Sequence, residues 1–209
     1  MKTLGIIGSG HLGQQIAHYA ITDHHYDAVV FFDDFSKETS VNGFQILGNS
    51  DDIALAFKQK SFDELLIGIG YKHLDVRKQL FERFAPTIPF GKIIHSSSWV
   101  DATAVVSEGC VIYPSCCIDA HAVIDQNTIL NVACTVAHDT KVGKHCFLSP
   151  RVALAGFITI EEQCIIGINA TIIDNVTLIA KTQIGGGTVV IETLQKNGLY
   201  VGNPQRFIR

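Results

Sequence analysis

Residues 112–142 read IYPSCCIDAHAVIDQNTILNVACTVAHDTKV, and Ile112, Ile118, Ile124, Leu130, Val136 and Val142 fall six apart. The spacing extends in both directions. From Ile94 to Ile184 sixteen successive positions at this interval are aliphatic. Four places after each comes a second, mostly small column that includes Ala104, Cys110, Cys116, Ala122, Thr128, Cys134, Thr140, Cys146, Cys164 and Ala170. Six is not a multiple of 3.6, so no helix face repeats this way, and simple strand alternation would repeat every two residues. The pattern predicts a coil of three flat six-residue faces, with both columns pointing inward and 18 residues to a turn. From Ile94 to Val189 that makes five and a third coils, which at a strand spacing of roughly 4.8 Å stack into a prism about 25 Å tall. Five of the six cysteines fall in the small column and read as compact hydrophobes. An 18-residue spacing stacks Cys116 under Cys134 and Cys146 under Cys164, at a separation that does not by itself forbid a disulfide. No C-x-x-C pair or His/Cys cluster suggests a metal.

The residues before the repeat follow other rules. Thr3–Ile7 reads as a buried strand, Gly8–Gly13 as a tight turn, Gln14–Ile21 as a helix and Ala28–Phe32 as a strand ending in Asp33-Asp34. A helix over Ser50–Lys60, a strand over Leu65–Ile69 ending at Gly70, and a helix over Asp75–Phe84 complete a small α/β unit with a parallel sheet. The expected organisation is a Rossmann-like domain at 1–91, a parallel β-helix at 92–190 and a tail at 191–209. The whole chain of 209 residues is 47% apolar and 17% charged with a net charge of −4, a balance that argues against a nucleic-acid partner. It has no uninterrupted apolar run of membrane-spanning length and no signal-peptide pattern after Met1. A cytoplasmic protein with reduced thiols is expected.

Two places carry the ingredients of chemistry. Gly8-x-Gly10-x-x-Gly13 followed by Asp33 has the form of a dinucleotide fingerprint, in which glycines let the backbone approach phosphates at a helix N-terminus. A full NAD domain has two such halves, and the N-terminal region has room for one. Binding of a nucleotide's phosphate or ribose is therefore the economical reading, beside a dehydrogenase and a turn with no ligand. In the prism, His138 and Asp139 occupy outward positions. One coil either way from His138 stand Ala120 and Gly156, which leave a notch, and one coil below Asp139 stands His121. A histidine oriented by a carboxylate suits a general base. The other histidines, His145 included, read as solvated or locally bonded. The zinc-dependent carbonic anhydrases of similar coil are a rival, but their closely spaced histidine pair is missing here.

Together these segments carry a resemblance. The glycine-rich unit with Asp33-Asp34-Phe35, the hexapeptide repeat with Asn131 and His138-Asp139, the run Gly185-Gly186-Gly187 and the terminal Tyr200-Val201-Gly202-Asn203-Pro204 resemble the bacterial nucleotide-sugar acetyltransferases. That family has a left-handed parallel β-helix. Its members N-acetylate nucleotide-linked 4-amino sugars or O-acetylate sialic acid. The resemblance implies a homotrimer that binds acetyl-CoA between neighbouring prisms, uses no metal and serves surface glycan biosynthesis. It assigns the base to His138 and its orienting acid to Asp139. Substrate contacts fall on Gly10, His11, Leu12, Asp33, Asp34, Gly70 and Asn131, and acetyl-CoA contacts on Phe147, Ile168 and Gly186. Phe147 stands where the family has a histidine against acetyl-CoA, and Leu12 where relatives often carry histidine. A sugar O-acetyltransferase and a non-catalytic nucleotide-sugar-binding module are the alternatives.

Overall fold

The computed structural model describes Met1–Arg209, which divide into two compact units, Met1–Ile93 and Ile94–Arg209, with the terminal residues part of the second. In the first, alternation of apolar strands and amphipathic helices gives β1 (Thr3–Ile7), α1 (His11–Thr22), β2 (Ala28–Phe32), β3 (Ser40–Val41), β4 (Phe44–Gly48), α2 (Ile53–Lys58), β5 (Glu64–Ile67), a 3-10 turn at Tyr71–His73 and α3 (Leu74–Phe84). The sheet order is β3-β4-β2-β1-β5. β4, β2, β1 and β5 run parallel, and β3 returns antiparallel on β4. The central strands are almost wholly apolar because a parallel sheet is covered on both faces. Leu4, Ile6, Phe31, Phe32, Leu65 and Leu66 have no exposed surface.

The hairpin β3–β4 is an addition to the sequence reading. Its turn is Asn42-Gly43, with φ of 50° and 82°, the backbone that a two-residue hairpin needs and that Asn-Gly favours. Two glycines are required by close approach. A Cβ on Gly13 would strike the Gly8 carbonyl oxygen, and one on Gly68 would lie 2.5 Å from the Gly13 Cα. The start of α1 is thereby seated directly against the ends of β1 and β5.

The second unit is the left-handed parallel β-helix, built of two-residue strands separated by four-residue corners. From Trp99 to Val190 each ladder pairs residues 18 apart, as in Cys117↔Thr135, Ile124↔Val142 and Leu148↔Ile166. Three parallel sheets result. The six-residue column fills the interior: from Val106 to Ile184 every aliphatic in it is buried, while Ile94 and Val100, at the open first coil, are partly covered.

The small column does more than save space. Ser98, Cys110, Cys116, Thr128, Cys134, Thr140, Cys146 and Cys164 each donate from Oγ or Sγ to the carbonyl 15 residues ahead, the first corner residue of the coil above. Examples are Thr128 to Gly143 at 2.8 Å, Thr140 to Ala155 at 2.7 Å and Cys134 to Ser149 at 3.2 Å. At these eight positions the small side chain thus gives a corner carbonyl of the next coil a hydrogen-bond donor. All six cysteines are free thiols. Contact with Cys116 and burial push the Cys134 thiol up, and burial and contact with Cys164 do the same for Cys146, so neither offers a thiolate.

From the corner at Ser115 to that at Lys181 the third corner residue is left-handed. Ser115, His121, Asn127, Ala133, Asp139, His145, Arg151, Phe157, Gln163, Asn169, Asn175 and Lys181 all have φ between 55° and 63°. Position in the repeat, not residue type, sets this backbone.

The inward–outward assignment is checked by a pair of substitutions. Leu148→Ala, at a site with no exposed surface, should cost about 2–5 kcal/mol in urea unfolding. Thr135→Ala, on an outward strand position, should change stability by less than about 0.5 kcal/mol. Equal costs would refute the register.

Candidate active site

His138 and Asp139 lie in the corner that follows the strand Thr135–Val136. Asp139 takes the left-handed corner position, φ 57°, a backbone that Asp tolerates better than most residues. Its amide donates to the Ala120 carbonyl one coil below at 2.9 Å. This geometry turns the carboxylate back, so that Asp139 Oδ2 lies 3.0 Å from His138 Nδ1. A carboxylate only accepts, so the bond puts the proton on Nδ1 and leaves the Nε2 lone pair free. Asp139 is thus paired with His138 and not with His121, whose charge partner is Asp101.

Above the imidazole lies Gly156. A Cβ there would come within 2.8 Å of His138 Cε1 and 2.9 Å of Nε2, so the notch expected from the repeat is present and the ring fills it. The ring of Phe157 stands edge-on to the imidazole, with centroids 5.1 Å apart and planes at 85°. The sequence reading did not single out Phe157, although 18-residue stepping from Asp139 reaches it. His138 keeps 49% of its side chain exposed. The arrangement can accept a proton at Nε2 and hold the resulting imidazolium against a carboxylate.

Asn131 is partly buried at another corner, its Oδ1 accepting from the Val132 amide at 2.8 Å. Ile168 and Gly186 are both exposed and stack one coil apart, where a Cβ on Gly186 would lie 3.1 Å from Ile168 Cγ2. Phe147, on an outward strand position between Ile129 and Ile165, is only 6% exposed. It acts here as packing and offers little surface to a ligand. His145 is also buried, bonded to Asn127 Nδ2 at 2.9 Å. No group of three His, Cys, Asp or Glu is placed to hold a metal ion.

In the first unit, Gly10, Asp33 with Asp34, and Gly70 follow β1, β2 and β5, three neighbouring parallel strands. They share the carboxyl edge of the sheet, the usual place for nucleotides in such folds. A Cβ on Gly10 or Gly70 would meet nothing within 4 Å, so backbone is open to approach at both. His11 and Leu12 begin α1, His11 exposed and Leu12 partly so, where the first helical amides favour an anion.

Asp33 is engaged within the fold. Its Oδ2 accepts from the Ser9 amide and hydroxyl at 2.7 and 2.6 Å, and its Oδ1 from the Phe35 and Ser36 amides at 2.9 Å each. The carboxylate is occupied in tying the turn after β1 to the turn after β2, which makes it a brace for the site and leaves few lone pairs for a ribose. Asp34 is exposed and accepts one amide, that of Ser50. Phe35, held in place by the Asp33 turn, is 93% exposed.

A small α/β unit followed by a hexapeptide-repeat β-helix is an architecture shared with solved acetyltransferases. Residues 3–84 match the family described as the PglD N-terminal domain. The whole chain superposes on the acetyltransferase domain of PglB from Neisseria gonorrhoeae with a TM-score of 0.92, 26% identity and complete coverage of both chains. The same domain has been solved with acetyl coenzyme A, and there the TM-score is 0.90 over 99% of each chain, again at 26% identity. PerB from Caulobacter crescentus, solved with CoA and GDP-perosamine, shares the fold at a TM-score of 0.91 and 24% identity, over 100% of this chain and 98% of that one. A search of curated protein sequences finds no match. The likeness to acetyltransferases carried by the sequence motifs is therefore found again in the three-dimensional fold.

The bracing role of Asp33 has a pH signature. Burial opposes its charge, but the hydroxyl and amide of Ser9 and the amides of Phe35 and Ser36 outweigh that and hold the carboxyl below its ordinary value. A depressed folded-state value stabilises the protein above the unfolded-state value of about 3.9 and ceases to do so as pH falls through the folded-state value. Urea titrations should show wild type more stable than Asp33→Asn at pH 6, with the gap closing below pH ~4. A gap that does not narrow would contradict the brace.

Proposed function

We propose that this acetyltransferase moves the acetyl group of acetyl-CoA to the amino group of a nucleotide-linked amino sugar, with 4-amino sugars favoured. The reading includes a cytoplasmic homotrimer that serves surface glycan biosynthesis. The observation that carries it is the His138–Asp139 pair seated beneath Gly156, a base with one nitrogen committed and the other open. The likeness to PerB, solved with CoA and GDP-perosamine, supports a nucleotide-sugar substrate, and the N. gonorrhoeae relative solved with acetyl coenzyme A supports the donor. No helix is long and apolar enough to cross a membrane.

In the proposed reaction, the amine nitrogen attacks the thioester carbonyl and Nε2 of His138 takes the amine proton. Asp139 stabilises the imidazolium, the carbon–sulfur bond breaks, and the proton passes from His138 to the departing CoA sulfur. Every step is acid–base chemistry on one imidazole. The buried thiols take no part, since each is enclosed and bonded to a carbonyl. In the N-terminal unit, the open backbone at Gly10 and Gly70 and the first turn of α1 receive the phosphates, Asp34 receives a polar group of the nucleoside, and exposed Phe35 offers a face for the base. Ile168 and Gly186 contact acetyl-CoA, and the exposed apolar side chains Trp99, Val105 and Ile168 on the prism suit burial between copies.

Acetyl-CoA consumption should be measured against UDP-, dTDP- and GDP-linked amino sugars, with free sialic acid as the hydroxyl control. Turnover with an amino sugar supports the reading, and turnover with sialic acid alone overturns it. His138→Ala should lower kcat roughly 10²–10⁴-fold with little change in Tm. Gly156→Ala, at a backbone conformation any residue adopts, should displace the imidazole and cost about 10²-fold while the protein still folds. Normal turnover in His138→Ala would exclude His138 as the base, and normal turnover in Gly156→Ala would contradict the tight seat given to its ring.

A further inference from the structure

We infer that Phe157 is a positioning residue that locks the His138 imidazole in its base-competent orientation. The inference rests on the acetyl-transfer reading for its kinetic part alone. Phe157 occupies the left-handed corner position one coil above Asp139, with φ 58°. A bulky aromatic is among the residues least suited to that backbone, and its side chain is 55% exposed. Neither local preference nor burial explains a phenylalanine there. The equivalent corners one coil below and above carry Asp139 and Asn175, residue types that the left-handed region tolerates.

What the ring does touch is His138, edge-on at 5.1 Å. The Phe157 amide also donates to the His138 carbonyl at 3.2 Å, so the same residue holds the backbone and the side chain of the base. The need is physical. His138 is half-exposed, and a single surface hydrogen bond to Asp139 restrains an imidazole only weakly, because water competes for both partners. Gly156 gives the ring a ceiling, and Asp139 fixes one edge. Phe157 supplies the wall that disfavours rotation about the side-chain bonds, which would take Nδ1 off the carboxylate and turn Nε2 away from the acceptor. An aromatic edge-to-face contact is directional enough for this purpose.

The test compares wild type with Phe157→Asn, which suits the left-handed backbone, and Phe157→Tyr, which keeps the ring. The asparagine variant should keep or raise Tm, lose about 10- to 100-fold in kcat and leave both KM values within about threefold. The tyrosine variant should recover kcat to within about threefold of wild type. A kcat within twofold of wild type for Phe157→Asn, a loss confined to KM, or a tyrosine variant as slow as the asparagine one overturns the inference. Nitrogen-15 NMR of histidine-labelled protein gives a readout independent of turnover. The His138 signals should report one Nδ1-protonated tautomer in wild type and an average in Phe157→Asn, and identical tautomer signals in the two proteins overturn the inference. Absence of transfer by wild type to every acceptor would count against the acetyl-transfer reading and leave the NMR comparison to decide Phe157.

Discussion

A strand of two residues has no stability of its own, and the second unit is made almost entirely of such strands. What makes them possible is the 18-residue register, in which each residue bonds to its counterpart one coil away and each inward aliphatic rests on the one beneath it. Burial and pairing are therefore satisfied together or not at all. A one-residue slip would put the aliphatic column outside and the outward residues within. The absence of any insertion from Trp99 to Val190 is what this constraint requires, and it is also what lets a residue's neighbours be found by adding or subtracting eighteen.

The same register builds the site. From Ser115 to Lys181 each corner turns the chain through a left-handed residue, and the direction in which that residue's side chain leaves the prism is fixed by the turn. At the corner after Val136 the left-handed residue is an aspartate and its predecessor a histidine, so a backbone feature repeated over twelve successive corners becomes a carboxylate–imidazole pair at one of them. Elsewhere the corners carry Ser115, Asn127 or Lys181 in the same conformation and produce no such pair. Chemistry arises here from a choice of side chains on an invariant scaffold, with Gly156 removing the one Cβ that would block it.

Much of this was legible in the sequence because periodicity states long-range neighbours explicitly. The inward columns, the stacking of Gly156 on His138 and of Gly186 on Ile168 all follow from arithmetic on residue numbers. Rotamers do not. Asp139 had His138 and His121 as possible partners, and only the direction of the left-handed corner chose between them. The small column was read as space-saving, because a residue's size shows in its name whereas a hydrogen bond to a carbonyl 15 residues away does not. In the first unit no period helps. The β3–β4 hairpin had its signal in Asn42-Gly43, but its two short strands are partly exposed and lack the apolar run that marked β1 and β2. Asp33 is a substrate contact by family resemblance, and what residue order does not show is that its carboxylate is bonded to Ser9, Phe35 and Ser36.

The occupied Asp33 changes where substrate selectivity should reside in that unit. An acid already bound to four donors cannot sense a ligand strongly, since each new bond would have to displace an existing one at comparable strength. Its contribution is geometric: it holds the turn after β1 and the turn after β2 together, so that open backbone at Gly10 and the side chains of Asp34 and Phe35 are presented at fixed positions. Discrimination among bases then falls to groups with unused capacity. Asp34 retains carboxylate lone pairs and Phe35 a whole ring, and both lie on a segment whose path Asp33 dictates. A brace of this kind lets the residues that meet the ligand vary while the frame that aims them stays the same.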